Sequence, residues 1–208
     1  MPKQFLPVAG VPVLLRALRP FASHPEVAQL VVVLAPAHAE RPPEFLAPLA
    51  GAGLTVVAGG AERTDSVAAG LRSLEPDCEI VLVHDGARPF VERGVIDAVI
   101  AHARAGEGAV AAVRVSDTLK EEATDDSSLV RRTVARDRLW RAQTPQGFPR
   151  RLLERAYTPP RDPAATDDAS LVEACGGVVR LVPDTSRNLK ITTREDLALA
   201  DALAASAP

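Results

Sequence analysis

The chain has 208 residues, of which 47% are hydrophobic and 25% charged, and its formal net charge is −3. This length allows one folded domain with a full core, and the composition is ordinary for a globular protein. A slightly acidic balance gives no reason to expect a nucleic acid partner, which usually binds a basic surface. No apolar run reaches the roughly 18 residues of a membrane span, and the first residues lack a signal-peptide pattern, so we expect a cytoplasmic protein.

Cysteine and lysine are both rare in this chain. Cys78 and Cys175 lie far apart without metal-ligand spacing, which predicts two reduced structural thiols. Of the 24 basic residues, only Lys3, Lys120 and Lys190 are lysines. In a chain that otherwise uses arginine, a lysine indicates a site that needs a compact point charge.

The first quarter of the chain alternates between helix and strand. Apolar residues recur at helical spacing after Pro12, and continuous apolar runs predict strands over 30–34 and 55–57. The proline-rich stretch 35–51 between these strands predicts at most a short helix. The order of elements is typical of an α/β protein.

Residues 59–67 read G-G-A-E-R-T-D-S-V and lead into an apolar helical face. Free backbone donors and the positive end of a helix dipole meet at such a position, which is typical of a cradle for a polar ligand. Thr64, Asp65 and Ser66 are also of the residue types that cap helices, so the alternative is an ordinary capped helix.

Residues 80–90 read I-V-L-V-H-D-G-A-R-P-F, an apolar run that ends in His84 and Asp85. The pattern predicts a buried parallel strand with polar side chains at its carboxyl end, where ligands bind in open α/β sheets. Gly86 would let a ligand approach, and Arg88 is held by the proline that follows it. We therefore expect a carboxylate for a metal ion and a guanidinium for a phosphate. The alternative is a strand-to-helix turn with solvated Asp85 and Arg88.

A dense cluster of charges follows a predicted helix over 92–104 and a strand over 109–113. Residues 115–141 predict a hairpin arm, with an acidic turn at 121–128, that protrudes from the sheet. An arm with so little core needs a partner surface, and a second copy of the chain is the simplest one, so we expect a homodimer. The alternative is a mobile surface loop.

The last third returns to the alternating pattern. Residues 143–148 predict a turn, and Thr166 or Asp167 is expected to cap a helix that runs to Cys175. The other elements predicted here are a helix over 150–157, a strand over 178–182 and a final helix that begins with a capping box of Thr193 and Asp196. With no internal repeat or long linker, residues 1–208 predict one α/β domain with an arm.

Seven motifs occur in one order along nearly the whole chain. They are P-K-Q-F at position 2, G-G-A-E-R-T-D-S-V at 59, H-D-G-A-R-P-F at 84, D-T-L-K at 117, R-T-V-A-R-D-R-L-W-R-A-Q-T-P-Q at 132, T-D-D-A-S at 166 and N-L-K-I-T at 188. In this order they resemble the 2-C-methyl-D-erythritol 4-phosphate cytidylyltransferases of non-mevalonate isoprenoid biosynthesis. The resemblance implies a Rossmann-like three-layer nucleotidyltransferase fold, and transfer of CMP from CTP to methylerythritol phosphate with magnesium and release of pyrophosphate.

The resemblance also implies roles for individual residues. The residues implied to bind the nucleotide are Lys3, Gly60, Ser66, Asp85 and Gly86. Asp85 is also implied to hold the magnesium ion. For the acceptor phosphate the implied residues are Arg88, Thr118, Arg136, Thr144, Thr166 and Lys190. In the family's dimer, Thr118 and Arg136 of the arm would complete the site of the partner chain.

The charges of the reaction imply how these residues would act. A phosphate oxygen of the acceptor attacks the α-phosphorus of CTP, so two anions must be brought together and cations are the catalysts. Lys3 is expected to neutralise oxygens in the transition state, and Lys190 with Arg136 to fix the attacking phosphate. Because a phosphate monoester is already ionised, no general base is needed, and His84 is expected to pack rather than catalyse.

The chain departs from the family pattern ahead of P-K-Q. The family has a first strand and an arginine-containing glycine-rich loop there, and the sequence contains neither. We expect that the sheet lacks a central strand. We also expect that the start codon was assigned too far downstream, at a methionine inside the true coding sequence. The alternative is a truncated form that binds CTP poorly, because a wall of backbone donors is missing.

Two other functions remain open. Ribitol 5-phosphate cytidylyltransferases share P-K-Q, T-P-Q and N-L-K-I-T, although the run that begins at position 132 favours methylerythritol phosphate. A noncatalytic dimerising module would bind CTP without turnover. Fusion to a second enzyme of the pathway is also compatible with the sequence. A nicotinamide-dependent reductase is not expected, because no G-x-G-x-x-G follows a strand.

Overall fold

A computed structural model describes residues 2–124, 128–158 and 165–206. The strands in this range are β1 (Pro7–Val8), β2 (Val11–Pro12), β3 (Leu30–Leu34), β4 (Leu54–Ala58), β5 (Ile80–Val83), β6 (Gly108–Arg114), β7 (Leu119–Glu122), β8 (Val130–Val134), β9 (Trp140–Pro149) and β10 (Val179–Pro183). The α-helices are α1 (Val13–Ala22), α2 (Pro36–Glu40), α3 (Arg63–Arg72), α4 (Arg93–Arg104), α5 (Arg150–Ala156), α6 (Asp168–Ala174) and α7 (Arg194–Ala205). Short 3-10 helices cover Lys3–Phe5 and Glu44–Ala52.

The main sheet has the strand order β10-β6-β9-β5 and lies between two layers of helices. Strand β10 runs parallel to β6, while β9 is antiparallel to both of its neighbours. Helix α4 contributes Ile96 and Val99 to one core cluster, and α5 and α6 contribute Leu153 and Val172 to another. The mixed α/β architecture confirms the predicted fold class, because apolar faces of helices pack on the sheet in separate clusters.

A second, parallel sheet consists of β3 and β4. Within the described residues, β3 pairs only with β4, and β5 pairs only with β9. Both β3 and β5 line the same cavity of about 750 Å³. The cavity therefore lies between the two sheets, and the absence of a central strand stays a prediction.

Strand β5 differs from its prediction in direction and extent. The apolar run at 80–84 was predicted to be a parallel strand, but β5 pairs antiparallel with β9, with Val81 opposite Phe148. It ends at Val83, so His84 follows the strand. The prediction of a parallel pairing is therefore wrong for the described part of the chain. A continuous apolar run indicates that a strand is buried, but burial does not determine whether the neighbouring strand runs parallel or antiparallel to it.

The turn predicted over 143–148 is also wrong, because these residues lie inside the ten-residue strand β9. Their polar side chains find buried partners: the Gln143 amide donates to the Asn188 carbonyl oxygen at 3.1 Å. The Gln146 amide donates to Asp167 at 2.7 Å. Polar side chains with hydrogen-bond partners elsewhere in the fold can occupy a central strand, although Gln143 Oε1 has no partner among the described residues. The peptide bond between Thr144 and Pro145 is cis.

The predicted arm contains an antiparallel hairpin of β7 and β8. Glu121 forms ion pairs with Arg131 at 2.8 Å and Arg132 at 2.6 Å across this hairpin. Leu129 and Val130 are about 60% exposed (59% and 60%), which is high for apolar side chains. The acidic turn predicted at 121–128 lies partly outside the described residues, at 125–127. The hairpin is confirmed, and its dimer contact stays a prediction.

Helix caps agree with the predictions in the last third of the chain. Asp167, rather than Thr166, caps α6 by accepting a hydrogen bond from the Ser170 amide at 2.9 Å. Thr193 and Asp196 form the capping box predicted for α7. Among the helices of the described ranges, none combines the length and the apolar character required to cross a membrane.

Candidate active site

The candidate site is centred on Asp85, just beyond the end of β5. Its Oδ2 atom lies 3.1 Å from Lys190 Nζ and 3.2 Å from Arg88 Nε. The Asp85 and Arg88 side chains are only 17% and 11% exposed. The alternative of a solvated turn is therefore wrong: the residues form a half-enclosed cluster with two cations on one carboxylate.

Charge in this cluster keeps Asp85 ionised. Burial alone would raise the pKa of Asp85, but the positive charges of Lys190, Arg88 and Arg63 together lower it below its usual value. Burial lowers the pKa of Arg88 despite the opposing charge of Asp85. An arginine remains protonated in proteins, so the ionised Asp85 carboxylate lies beside a charged Arg88 guanidinium.

Thr144 and His84 fix the backbone at Asp85. His84 Nε2 lies 3.0 Å from the Arg88 carbonyl oxygen, which only accepts, so this nitrogen carries the proton. Thr144 Oγ1 then donates to His84 Nδ1 at 3.0 Å and accepts from the Asp85 amide at 3.0 Å. Burial lowers the pKa of His84 to about 4, and its ring packs 4.9 Å from that of Phe21. These contacts agree with a packing role for His84.

The segment that carries Lys190 is anchored by Asn188, which is fully buried. Asn188 Nδ2 donates to the Thr144 carbonyl oxygen at 2.8 Å and to Asp184 Oδ2 at 2.7 Å. The backbone carbonyl oxygen of Asn188 accepts a hydrogen bond from Arg88 Nη1 at 2.8 Å. Asn188 was not a predicted site residue. The signal for it was its place inside the N-L-K-I-T motif, next to a lysine that was singled out.

The glycine-rich stretch ahead of α3 forms a capped helix start. Ser66 Oγ accepts from the Gly60 amide at 3.2 Å, and Asp65 accepts from the Glu62 amide at 3.4 Å. A Cβ atom at Gly60 would lie 2.4 Å from the Asp65 Cβ, so no side chain fits there. The capped-helix alternative is confirmed, and nucleotide binding by Gly60 and Ser66 stays a prediction. Gly86 is similarly close to α1: an added Cβ would lie 2.9 Å from Leu14 Cδ1.

The structure places the remaining predicted residues in one cluster and at three other positions. Asp85, Arg88, Thr144 and Lys190 lie together, whereas Thr166 is exposed just before the cap of α6. Lys3 is exposed in the first 3-10 helix. Thr118 and Arg136 lie on the arm, where the Arg136 guanidinium donates to the Ser116 carbonyl oxygen.

A comparison with family models matches residues 1–206 to the model described as IspD, 2-C-methyl-D-erythritol 4-phosphate cytidylyltransferase. The chain belongs to this family. The protein of that name from Pelotomaculum thermopropionicum is 42% identical over 207 residues, which cover 97% of this chain and 85% of that protein. These matches confirm the resemblance found in the sequence motifs.

Two further relatives of this chain differ from each other in how much of their length it covers. The solved 2-C-methyl-D-erythritol 4-phosphate cytidylyltransferase from Thermus thermophilus superposes with a TM-score of 0.84 at 38% identity, covering 98% of this chain and 94% of that one. The bifunctional enzyme IspD/IspF of Desulfotalea psychrophila is 39% identical over 200 residues, covering 96% of this chain. The chain spans about half the length (51%) of that bifunctional relative.

The donors of the cytidylyltransferase site fit a magnesium ion. Magnesium is commonly bound by one or two carboxylates together with substrate phosphates and water. In the part of the chain that the structure describes, both cation contacts of the Asp85 carboxylate fall on Oδ2. Asp85 is the one carboxylate of the cluster formed with Arg88, Thr144 and Lys190, and is therefore the residue of this cluster that could hold the ion.

Proposed function

We propose that this chain transfers CMP from CTP to 2-C-methyl-D-erythritol 4-phosphate, giving 4-diphosphocytidyl-2-C-methyl-D-erythritol and pyrophosphate. The observation that supports this most directly is the ionised Asp85 held between Lys190 and Arg88 in a member of the cytidylyltransferase family. One carboxylate and two cations match a reaction that joins two phosphates on a metal ion. We also propose a single nucleotidyltransferase domain that acts in the cytoplasm.

The chain's own residues would act by binding and orienting charge. Arg88 and Lys190 would hold the acceptor phosphate so that one of its oxygens faces the α-phosphorus of CTP. That oxygen forms the new bond to phosphorus while the bond to pyrophosphate breaks, and Lys3 would stabilise the charge on the phosphoryl oxygens. Gly60, Ser66 and Gly86 would contact the nucleotide, and Thr166 the acceptor. When bound at Asp85, magnesium would supply charge neutralisation at the phosphates of CTP.

We propose in addition that two copies of the chain share their sites through the arm. Arg136 and Thr118 belong to an arm that has few buried residues of its own. Two-stranded hairpins are marginally stable alone, so a partner surface would stabilise this one. The two arm residues would then reach the acceptor phosphate at Asp85 of the partner.

The test is pyrophosphate release with CTP, magnesium and methylerythritol phosphate. Ribitol 5-phosphate and a reaction without acceptor serve as controls. A parallel assay uses a chimera that carries, ahead of Pro2, the first strand and glycine-rich loop that the family resemblance implies. We expect release that requires methylerythritol phosphate and is lost in Asp85→Ala.

The outcomes separate the alternatives. Release that requires ribitol 5-phosphate would assign the other cytidylyltransferase reaction. CTP binding without turnover, in the chain and in the chimera, would indicate a noncatalytic module and would contradict the proposal. Sedimentation of the purified chain would test the dimer, and a monomer at all concentrations would rule out the shared site.

A further inference from the structure

Arg63 and Asp168 join two parts of the molecule that are 105 residues apart in sequence. The Arg63 Nη2 atom lies 2.6 Å from Asp168 Oδ2. Arg63 is the first residue of α3 and lies within the glycine-rich stretch 59–67 that is predicted to bind the nucleotide. Asp168 is the first residue of α6, two positions after Thr166. The ion pair thus connects the predicted nucleotide loop to the predicted acceptor loop.

The environment of Asp168 makes this connection strong. The Asp168 side chain is fully buried, whereas that of Arg63 is 37% exposed. The Tyr157 hydroxyl donates to the other carboxylate oxygen, Oδ1, at 2.5 Å. A buried carboxylate is costly unless its oxygens are paired, so loss of Arg63 would leave Asp168 Oδ2 without its ion-pair partner among the residues that the structure describes.

The first turn of α6 is also tied to the strand that carries Thr144. Gln146 donates from Nε2 to Asp167 at 2.7 Å and accepts from the Ala169 amide with Oε1 at 2.9 Å. Gln146 therefore fixes this turn from the sheet, while Arg63 fixes it from α3. The two contacts fall on successive residues, Asp167 and Asp168, on either side of the helix start.

We propose that Arg63 is a positioning residue that holds the start of α6, and with it Thr166, in place for the acceptor. Arg63 and Asp85 line the same cavity, which places the clamp beside the candidate site. Substrate identity in this proposal rests on the proposed function. The role of Arg63 as a clamp on α6 does not depend on which acceptor binds.

The first test measures steady-state kinetics of Arg63→Gln, Arg63→Lys and the control Arg72→Gln. Arg72 is an exposed arginine at the other end of α3. For Arg63→Gln we expect the KM for the acceptor to rise about tenfold or more, while the KM for CTP changes by less than about threefold. Arg63→Lys should recover part of the loss, and Arg72→Gln should behave as the parent. Equal rises in both KM values, or no rise for the acceptor, would overturn the proposal.

The second test needs no turnover. Hydrogen exchange of the Ala169 and Ser170 amides should be faster by about tenfold or more in Arg63→Gln, with no change at the Asp196 amide in α7. Unchanged exchange at Ala169 and Ser170 would overturn the clamp. If the parent chain released no pyrophosphate with any acceptor, the proposed function would fail, and this exchange measurement would still decide whether Arg63 holds α6.

Discussion

The Thr144 hydroxyl accepts a hydrogen bond from the Asp85 backbone amide at 3.0 Å. Thr144 is 5% exposed, so the protein encloses its hydroxyl, which contacts protein groups whether or not a ligand is bound. The family resemblance implies that Thr144 contacts the acceptor, whereas the geometry indicates that it also fixes the backbone of the predicted magnesium ligand. The two roles predict different kinetic effects.

Replacing Thr144 by valine removes the hydroxyl and keeps the shape of the side chain. The Asp85 amide would lose its partner, which misplaces the carboxylate, so we expect kcat to fall about tenfold or more. Thr144→Ser should retain most activity. Thr55→Val, in β4, is the control. A rise in the KM for the acceptor alone, with kcat unchanged, would show that the hydroxyl acts only as a substrate contact.

Lys3→Ala is expected to lower kcat about a hundredfold with modest changes in substrate binding. The physical reason is that a cation placed at the phosphoryl oxygens acts mainly as charge develops in the transition state. Steady-state kinetics against both substrates would measure the effect. Arg41→Ala removes an exposed positive charge beyond α2 and should change neither constant. An unchanged kcat in Lys3→Ala would refute the assigned role.

Mixing two inactive variants tests the shared site. Asp85→Ala and Arg136→Ala chains should each be inactive or nearly so. In a random mixture, half of the dimers contain one chain of each type, and one of their two sites has both native residues. Activity should therefore return to about a quarter of the parent value. No recovery in mixed dimers confirmed by mass would contradict an arm that completes the partner's site.

Acid sensitivity is predicted at the start of α7. The Thr192 hydroxyl, together with the Thr192 and Thr193 amides, donates to Asp196 and lowers the pKa of its carboxyl to about 2. A carboxyl whose pKa is lower in the folded state stabilises the fold above its unfolded value of 3.8, and this contribution is lost as the pH falls to about 2.

Asp196→Asn should therefore destabilise the protein at neutral pH and reduce the dependence of its stability on pH between 3.8 and about 2. Urea unfolding at several pH values measures this difference. Asp77→Asn, at an exposed position outside the helices, is the control. An unaltered pH dependence in Asp196→Asn would show that the capping box adds nothing to acid stability.

Local patterns in the sequence are enough to predict the elements whose stability is local. Strand β3 was predicted with the observed bounds, because five consecutive apolar residues are packed between layers. The capping box of α7 was predicted from two residues three positions apart. The cluster of Asp85 and Arg88 was predicted from the end of one apolar run, since both residues lie in one turn.

Contacts between distant parts of the chain were not predictable in this way. Gln146 in β9 reads as part of a polar turn until Asp167 is placed beside it. The sequence does not distinguish Arg63 from the other arginines expected at the surface, and only the structure shows that it pairs with the fully buried Asp168. In both cases a polar residue is stabilised by a partner that sequence spacing does not indicate, and only the folded arrangement identifies it.

The separation of β3 from β5 has a practical consequence for handling the protein. Each strand has an edge without a strand partner in the described range, and both strands line one cavity whose wall is mostly apolar but includes Arg63 and Asp85. Unpaired edges are templates for the addition of extended chains from other molecules. Concentrated solutions of this chain are therefore expected to aggregate through intermolecular strand pairing, and a short apolar peptide that occupies the cavity should delay that aggregation during storage.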